Sequence, residues 1–218
     1  MTRASAIALS AVIPSAGLSS RMHQFKPLLK FGEVPMLEVV IRLFLQCGIR
    51  DILVVTGYNH SLVEPIVQKT GARTVFNPEF EMGMLSSIQR GAAQVSRSSQ
   101  GFFLLPVDIP AIRPSTILAL AKAFETSQEN LIIPEFNQKP GHPPLIPVRL
   151  IPKIIGIDCN SNLGEFLLAQ KQCLIRHPVH DRGTLLDADT KDAYGDLVRK
   201  YRDLDIPDQE ECWSIIRS

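Results

Sequence analysis

Apolar positions along the chain switch between short unbroken runs and stripes at helical spacing, which predicts strands interleaved with helices. Ala6–Ile13 is an apolar run of strand length that ends in a loop of small residues. Val34–Cys47 sets Met36, Val39, Val40, Leu43 and Phe44 on one helical face, and Gly48 follows as the stop. Asp51–Thr56 reads as a short β-branched strand buried on both faces. Ser61–Thr70 reads as a helix and Arg73–Phe76 as a strand. Gly83–Val95 is predicted as a helix opened by its glycine, and Gly101–Val107 as the next core strand, stopped by Asp108-Ile109-Pro110. Pro114 and Ser115 open a helix to about Phe124, and Leu131–Pro134 is a further short strand. Asn137–Pro147 is rich in Pro and Gly and is predicted as loop. Then follow a helix near Leu163–Gln170, strands near Cys173–His177 and Thr184–Leu186, a helix over Lys191–Tyr201, and a last helix over Asp208–Arg217.

Strands alternating with helices imply a mostly parallel sheet with right-handed crossovers. The expectation is an α/β fold: one three-layer Rossmann-like domain over residues 1–201, with a tail over 202–218. Composition narrows the function. The 218 residues are 45% apolar and 21% charged, as in an ordinary globular protein. No run approaches the roughly 20 apolar residues needed to cross a bilayer, so no membrane role is expected. A net charge of +1 gives no footprint for a nucleic-acid polymer, though a few cations are enough for a local anion site. Cys47, Cys159, Cys173 and Cys212 are far apart, without zinc spacing, and read as reduced thiols in a cytoplasmic protein. Arg3 followed by the apolar run and Pro14-Ser15-Ala16-Gly17 has two readings, a cleavable leader or a buried strand with its turn.

In open α/β sheets ligands bind beyond the carboxyl ends of the strands, and two such ends carry unusual residues. The first is Ser15-Ala16-Gly17-Leu18-Ser19-Ser20-Arg21, with Lys26 following. Small residues let backbone N–H groups approach an anion, and two cations neutralise polyphosphate charge. A plain structural turn also suits the spacing, which is not that of a P-loop. The second is Asp108, just beyond an apolar strand. A carboxylate there can hold Mg2+, or it can simply serve the turn before Pro110.

Together these segments resemble the nucleotidyltransferases with a GT-A-like Rossmann fold, in particular the molybdenum cofactor cytidylyltransferases. The resemblance rests on five segments in order: Pro14–Met22 with Lys26, Asn77–Ile88 with Gly91, Leu105–Pro110, Gly141-His142-Pro143, and Leu186–Asp192. It covers roughly residues 7 to 200 and implies attack of a phosphate monoester on the α-phosphate of CTP, releasing pyrophosphate. It also implies that Arg21 and Lys26 hold the triphosphate beside the amides of Ala16 to Ser20, with Ser15 among the nucleotide-binding residues. Asp108 would carry Mg2+, with Asp187 or Asp189 as second ligand or outer partner. Ser87, and Ser86 less directly, would meet the base or else cap their helix. Gly141, His142 and Pro143 would meet the acceptor, unless His142 only serves its own loop. A leader cleaved near Ala16 would cut this site, so the strand reading of Ala6–Ile13 and a cytoplasmic location follow.

The resemblance places a second glycine at position 16 in guanylyl-transferring relatives. Ala16 resembles the cytidylyl type, its methyl narrowing the space for a base. The sequence also departs from the pattern. Ser15 replaces a usual alanine, His23 a usual glycine, and Phe166 stands where an arginine is expected. The acceptor is therefore either molybdopterin met by another cation, or a different small phosphate such as a sugar phosphate or phosphocholine. A non-catalytic nucleotide- or cofactor-delivery protein is the reading from another class, and a molybdoenzyme or its chaperone is a possible partner.

Overall fold

A computed structural model describes residues 7–18, 22, 24–158 and 160–203. The chain opens on β1 (Leu9–Pro14), then makes a small hairpin of β2 (Lys30–Phe31) and β3 (Val34–Pro35). α1 (Met36–Gln46), β4 (Asp51–Thr56), α2 (His60–Thr70), β5 (Arg73–Phe76), α3 (Met84–Ala92) and β6 (Gly101–Leu104) follow. Next come α4 (Pro114–Glu125), β7 (Leu131–Phe136), β8 (Lys139–Pro140) and β9 (Leu145–Pro147). The described part ends with α5 (Ile151–Ile155), α6 (Leu163–Leu168), β10 (Leu174–Pro178) and α7 (Lys191–Asp203).

The large sheet runs β10-β7-β9-β6-β1-β4-β5, with β8 hairpinned onto β7. β1 pairs in parallel with both β4 and β6, β4 with β5, and β10 with β7. β9 runs against its neighbours β6 and β7, as β8 does against β7. After β5 the chain crosses back to lay β6 on the other side of β1. That reversal opens a crevice at the carboxyl ends of β1 and β6, where α/β sheets take ligands.

The two faces of the sheet bury separate clusters, giving three layers. Ala11, Ile13, Ile52, Val54 and Phe103 face α1, α2 and α4. Val12, Leu53, Val55, Phe102 and Leu104 face α3, α5 and α6. Alternation along each strand sorts successive residues to opposite faces. α3 lies so close that a Cβ on Gly91 would sit 2.5 Å from Val12 and 2.7 Å from Val55, so only glycine fits there. A third cluster of Phe31, Met36, Val39, Ala111, Ala188 and Leu197 joins the hairpin and α7 to the ligand end of the sheet.

Three expectations need correction. Asn137–Pro147 is not all loop, because Leu145-Ile146-Pro147 is fully buried as β9 in the middle of the sheet. Thr184–Leu186 is not a strand: Arg182–Leu185 is a 3-10 turn whose Gly183 amide donates to the Asp181 carboxylate. The core strand beginning at Gly101 stops at Leu104, short of Val107. The expected last helix, Asp208–Arg217, lies outside the described residues. β1 lies inside the sheet, between β6 and β4. No described helix is long and apolar enough to cross a membrane.

Candidate active site

Lys26 is the first residue of a one-turn 3-10 helix, Lys26–Leu28, with Pro27 buried beneath it. Its Nζ lies 2.9 Å from Asp108 Oδ2 and 2.7 Å from Asp189 Oδ1, drawing together three positions far apart in the chain. The Lys26 and Asp108 side chains are only 13% exposed, whereas Asp189 is 39% exposed. Burial pulls the lysine pKa down. The hydrogen bonds and charges of Asp189 and Asp108 outweigh it, so the ammonium titrates above its ordinary 10.5 and stays charged.

Each carboxylate is held by local structure. Asp108 follows the last residues of the β6 segment, where the Leu105 amide bonds Val12 and the Val107 amide bonds Pro14. Its own carbonyl accepts the Ala188 amide at 2.8 Å. Ala188 is fully buried in the third cluster, which leaves Asp187 exposed on one side and turns Asp189 to Lys26 on the other. Asp187 acts on His142 through its charge, so the two candidate aspartates have parted company.

The segment ahead of Asp187 hangs on Asp181, which motif reading overlooked. This buried carboxylate accepts Arg113 N at 2.8 Å and Thr116 Oγ1 at 2.7 Å on one oxygen, and Gly183 N at 2.9 Å on the other. It ties the start of α4 to the turn leading to Thr184 and Asp187. Its signal in the sequence is an Asp two residues before a glycine in a turn, a pattern too common to single out.

Gly141 and His142 approach the same turn. The His142 amide donates to the Thr184 carbonyl at 2.8 Å, and a Cβ on Gly141 would lie 2.6 Å from that carbonyl oxygen. The His142–Pro143 peptide bond is cis. Burial lowers the His142 pKa, and neither its hydrogen bond with the Leu104 backbone nor the charges of Asp108 and Asp187 restore it, so the ring is neutral at pH 7. Its Nδ1 is buried without a hydrogen-bond partner among the described residues.

On the other side of β1, Ser15 and Ala16 are buried and clamped by β4 and its following turn. Ser15 N bonds Val55 O at 2.9 Å, and Ala16 O accepts Tyr58 N at 3.1 Å. Ser15 Oγ has no partner among the described residues, while Gly17 and Leu18 are exposed. Ser19, Ser20, Arg21 and the departure at His23 lie outside the described residues.

Ser86 and Ser87 sit in the first turn of α3, whose N-cap position is Gly83. Neither caps the helix. The amide of buried Asn77 donates to Ser86 Oγ at 2.9 Å and Ser87 Oγ at 3.0 Å, while Ser86 donates to Gly83 O. Phe166, at the expected arginine position, packs against the second core cluster.

The structure thus brings together Lys26, Asp108, Asp189, Asp187 and His142 at one end of the crevice, with Ser15–Leu18, Ser86 and Ser87 around β1 and α3. One ammonium between two carboxylates leaves negative charge and hard oxygen donors, which suit Mg2+ bound through one or two carboxylates and substrate phosphates. The described residues contain no cluster of three or more His, Cys, Asp or Glu that would hold a metal unaided.

Comparison with known proteins follows the same lines. The family profile of the MobA-like NTP transferase domain matches residues 11–173. The molybdenum cofactor cytidylyltransferase of Escherichia coli K12 is 29% identical over 198 residues, covering 90% of this chain and 99% of that protein. The choline-phosphate cytidylyltransferase of Streptococcus pneumoniae is 30% identical over 77 residues, 33% of this chain and 34% of its own. Among solved structures, Rv0371c of Mycobacterium tuberculosis H37Rv superposes with a TM-score of 0.78 at 19% identity, covering 89% of this chain and all of that one.

Proposed function

The chain belongs to the family of MobA-like NTP transferase domains, and we propose that it transfers CMP from CTP to the phosphate of molybdopterin, releasing pyrophosphate. The observation that carries this reading is Lys26 bridging Asp108 and Asp189 at the crevice beside β1. The near full-length likeness to a molybdenum cofactor cytidylyltransferase supports the choice of nucleotide and acceptor.

Both reactants are anions, so catalysis is mainly positioning and charge neutralisation. Lys26, kept charged by its two carboxylates, faces the triphosphate together with Arg21 and the amides of Ala16 to Ser20, with Ser15 beside them. Asp108 and Asp189 would hold Mg2+, which when bound orients the phosphates and neutralises charge developing at the α-phosphorus. Ser86 and Ser87, fixed by Asn77, form the wall that meets the base, with Ala16 limiting its size. Neutral His142, with Gly141 and Pro143, receives the acceptor beside Asp187. The acceptor phosphate oxygen bonds to the α-phosphorus as the bond to pyrophosphate breaks. Such a site belongs with the cytoplasmic location expected from the sequence.

A second acceptor reading has its own observation. Phe166 is committed to packing, so the segment where the family resemblance expects an arginine offers none at that position. Transfer of CMP to another small phosphate, such as a sugar phosphate or phosphocholine, fits that change. An intact Lys26–Asp108–Asp189 trio speaks against a purely binding role, which has no use for it.

The test is pyrophosphate release from CTP, GTP, ATP and UTP, with Mg2+, in the presence and absence of molybdopterin. The expected result is release that needs molybdopterin and favours CTP. Release only with another phosphate supports the second reading, and CTP binding without release under any condition overturns both.

A further inference from the structure

Tyr58 lies in the turn between β4 and α2, and we infer that it is a positioning residue, a brace that sets the spacing between the base wall and Lys26. The inference rests on the nucleotide assignment just made.

The turn is built around its ring. Tyr58 N donates to Ala16 O at 3.1 Å, so its backbone is tied to the residue that limits the base. The ring stands edge-on to Phe25, centroids 6.0 Å apart, and tilted against Phe80 at 6.5 Å. Phe25 immediately precedes Lys26. Phe80 opens the short 3-10 turn that leads from Asn77 to Gly83, and so to Ser86 and Ser87. Tyr58 therefore spans the two segments assigned to opposite ends of the nucleotide.

Two backbone features keep it there. A Cβ on Gly57 would lie 2.6 Å from Phe80 Cβ and 2.9 Å from Ala16 Cβ, so the close approach of both depends on glycine. Asn59 holds a left-handed conformation with φ 53°, which asparagine tolerates better than most residues and which concentrates where backbone is held for a purpose. A packing role accounts poorly for the ring. Tyr58 is 40% exposed and belongs to none of the three apolar clusters.

A nucleotide gripped at base and phosphate tolerates little error in that spacing, since about 1 Å of displacement can cost on the order of 100-fold in rate. The experiment compares wild type, Tyr58→Ala, Tyr58→Phe and Phe80→Leu. It reads kcat and KM for CTP, CTP affinity by calorimetry, and melting temperature. Tyr58→Ala is expected to lose about 10- to 100-fold in kcat/KM with an unchanged melting temperature. Tyr58→Phe, which keeps the ring, should restore that loss, and Phe80→Leu should show a smaller loss of the same kind. Should Tyr58→Ala not fold, Phe80→Leu carries the test alone. Wild-type kinetics in Tyr58→Ala, or in Phe80→Leu when it stands alone, overturn the inference, as does a Tyr58→Phe variant as impaired as Tyr58→Ala. Wild-type protein that binds no nucleotide overturns the functional reading instead, whereas equal CTP affinity and turnover in wild type and Tyr58→Ala overturn only the brace.

Discussion

Replacing Asp181 with alanine removes the acceptor of three hydrogen bonds without touching any residue assigned to substrate. Arg113 N, Thr116 Oγ1 and Gly183 N lie 2.7–2.9 Å from its oxygens, and the residue is 3% exposed. Hydrogen bonds to a charged acceptor are worth about 1.5–3 kcal/mol each, but they do not add, because water and relaxation recover part of the loss. A net cost of about 3–5 kcal/mol follows from leaving three largely buried neutral donors unsatisfied at about 1–3 kcal/mol each. For a chain of this size that lowers Tm by roughly 6–20 °C. Asp181→Asn keeps the shape but turns an amide N–H2 toward one of the donors, so its cost is about 1–3 kcal/mol. Turnover should fall in both variants below their melting transitions, because the turn beyond Asp181 presents Thr184 to His142 and Asp189 to Lys26. Calorimetry with pyrophosphate-release kinetics on both variants decides the matter. A loss under about 1 kcal/mol in Asp181→Ala, or wild-type turnover in it, refutes the reasoning.

Three further outcomes are expected. Ala16→Gly should reduce the CTP-to-GTP ratio of kcat/KM by about 10-fold, the scale of one methyl in a pocket; an unchanged ratio removes Ala16 from base selection. Gly141→Ala forces a Cβ against the Thr184 carbonyl and should cost about 1–3 kcal/mol with reduced turnover, as read by denaturant titration. Burial would raise the Asp51 pKa, but hydrogen bonds from Arg73 and Ser10 hold it below its ordinary 3.8. Its ionised form therefore favours folding above that value, and the contribution is lost as pH falls through the lowered pKa. The acid limb of a stability-pH profile should flatten in Asp51→Asn, and an unaltered limb contradicts the assignment.

Local patterns were readable wherever a segment's own residues decide its conformation. Asp51–Thr56 and Arg73–Phe76 are strands at the residues predicted, short segments with β-branched residues and no helical stripe. β9 was hidden because two apolar residues between prolines carry no periodicity, and only the gap between β6 and β7 makes Leu145–Pro147 a strand. α5 begins at Ile151 with Pro152 second and spans five residues, too short for a helical stripe to show. Within the site, motif order pointed to Lys26, Asp108, Asp187 and Asp189. It could not say that buried Ala188 sends the two aspartates of its turn to different neighbours. Asp181, Gly57 and Tyr58 were invisible for a related reason: their meaning lies in contacts with residues remote in the chain.

Lys26 and Asp189 are 163 residues apart, and their contact has a consequence for how the protein is made. During synthesis at about 5–20 residues per second, roughly 10–30 s separate the appearance of the lysine from that of its second carboxylate. Through that interval a growing chain can own β1, its loop and the lysine, and yet lack the pair that Asp189 completes. This end of the crevice is thus finished among the last parts of the described fold, and a ribosome stalled before Asp189 leaves a lysine that can meet Asp108 but not the second carboxylate.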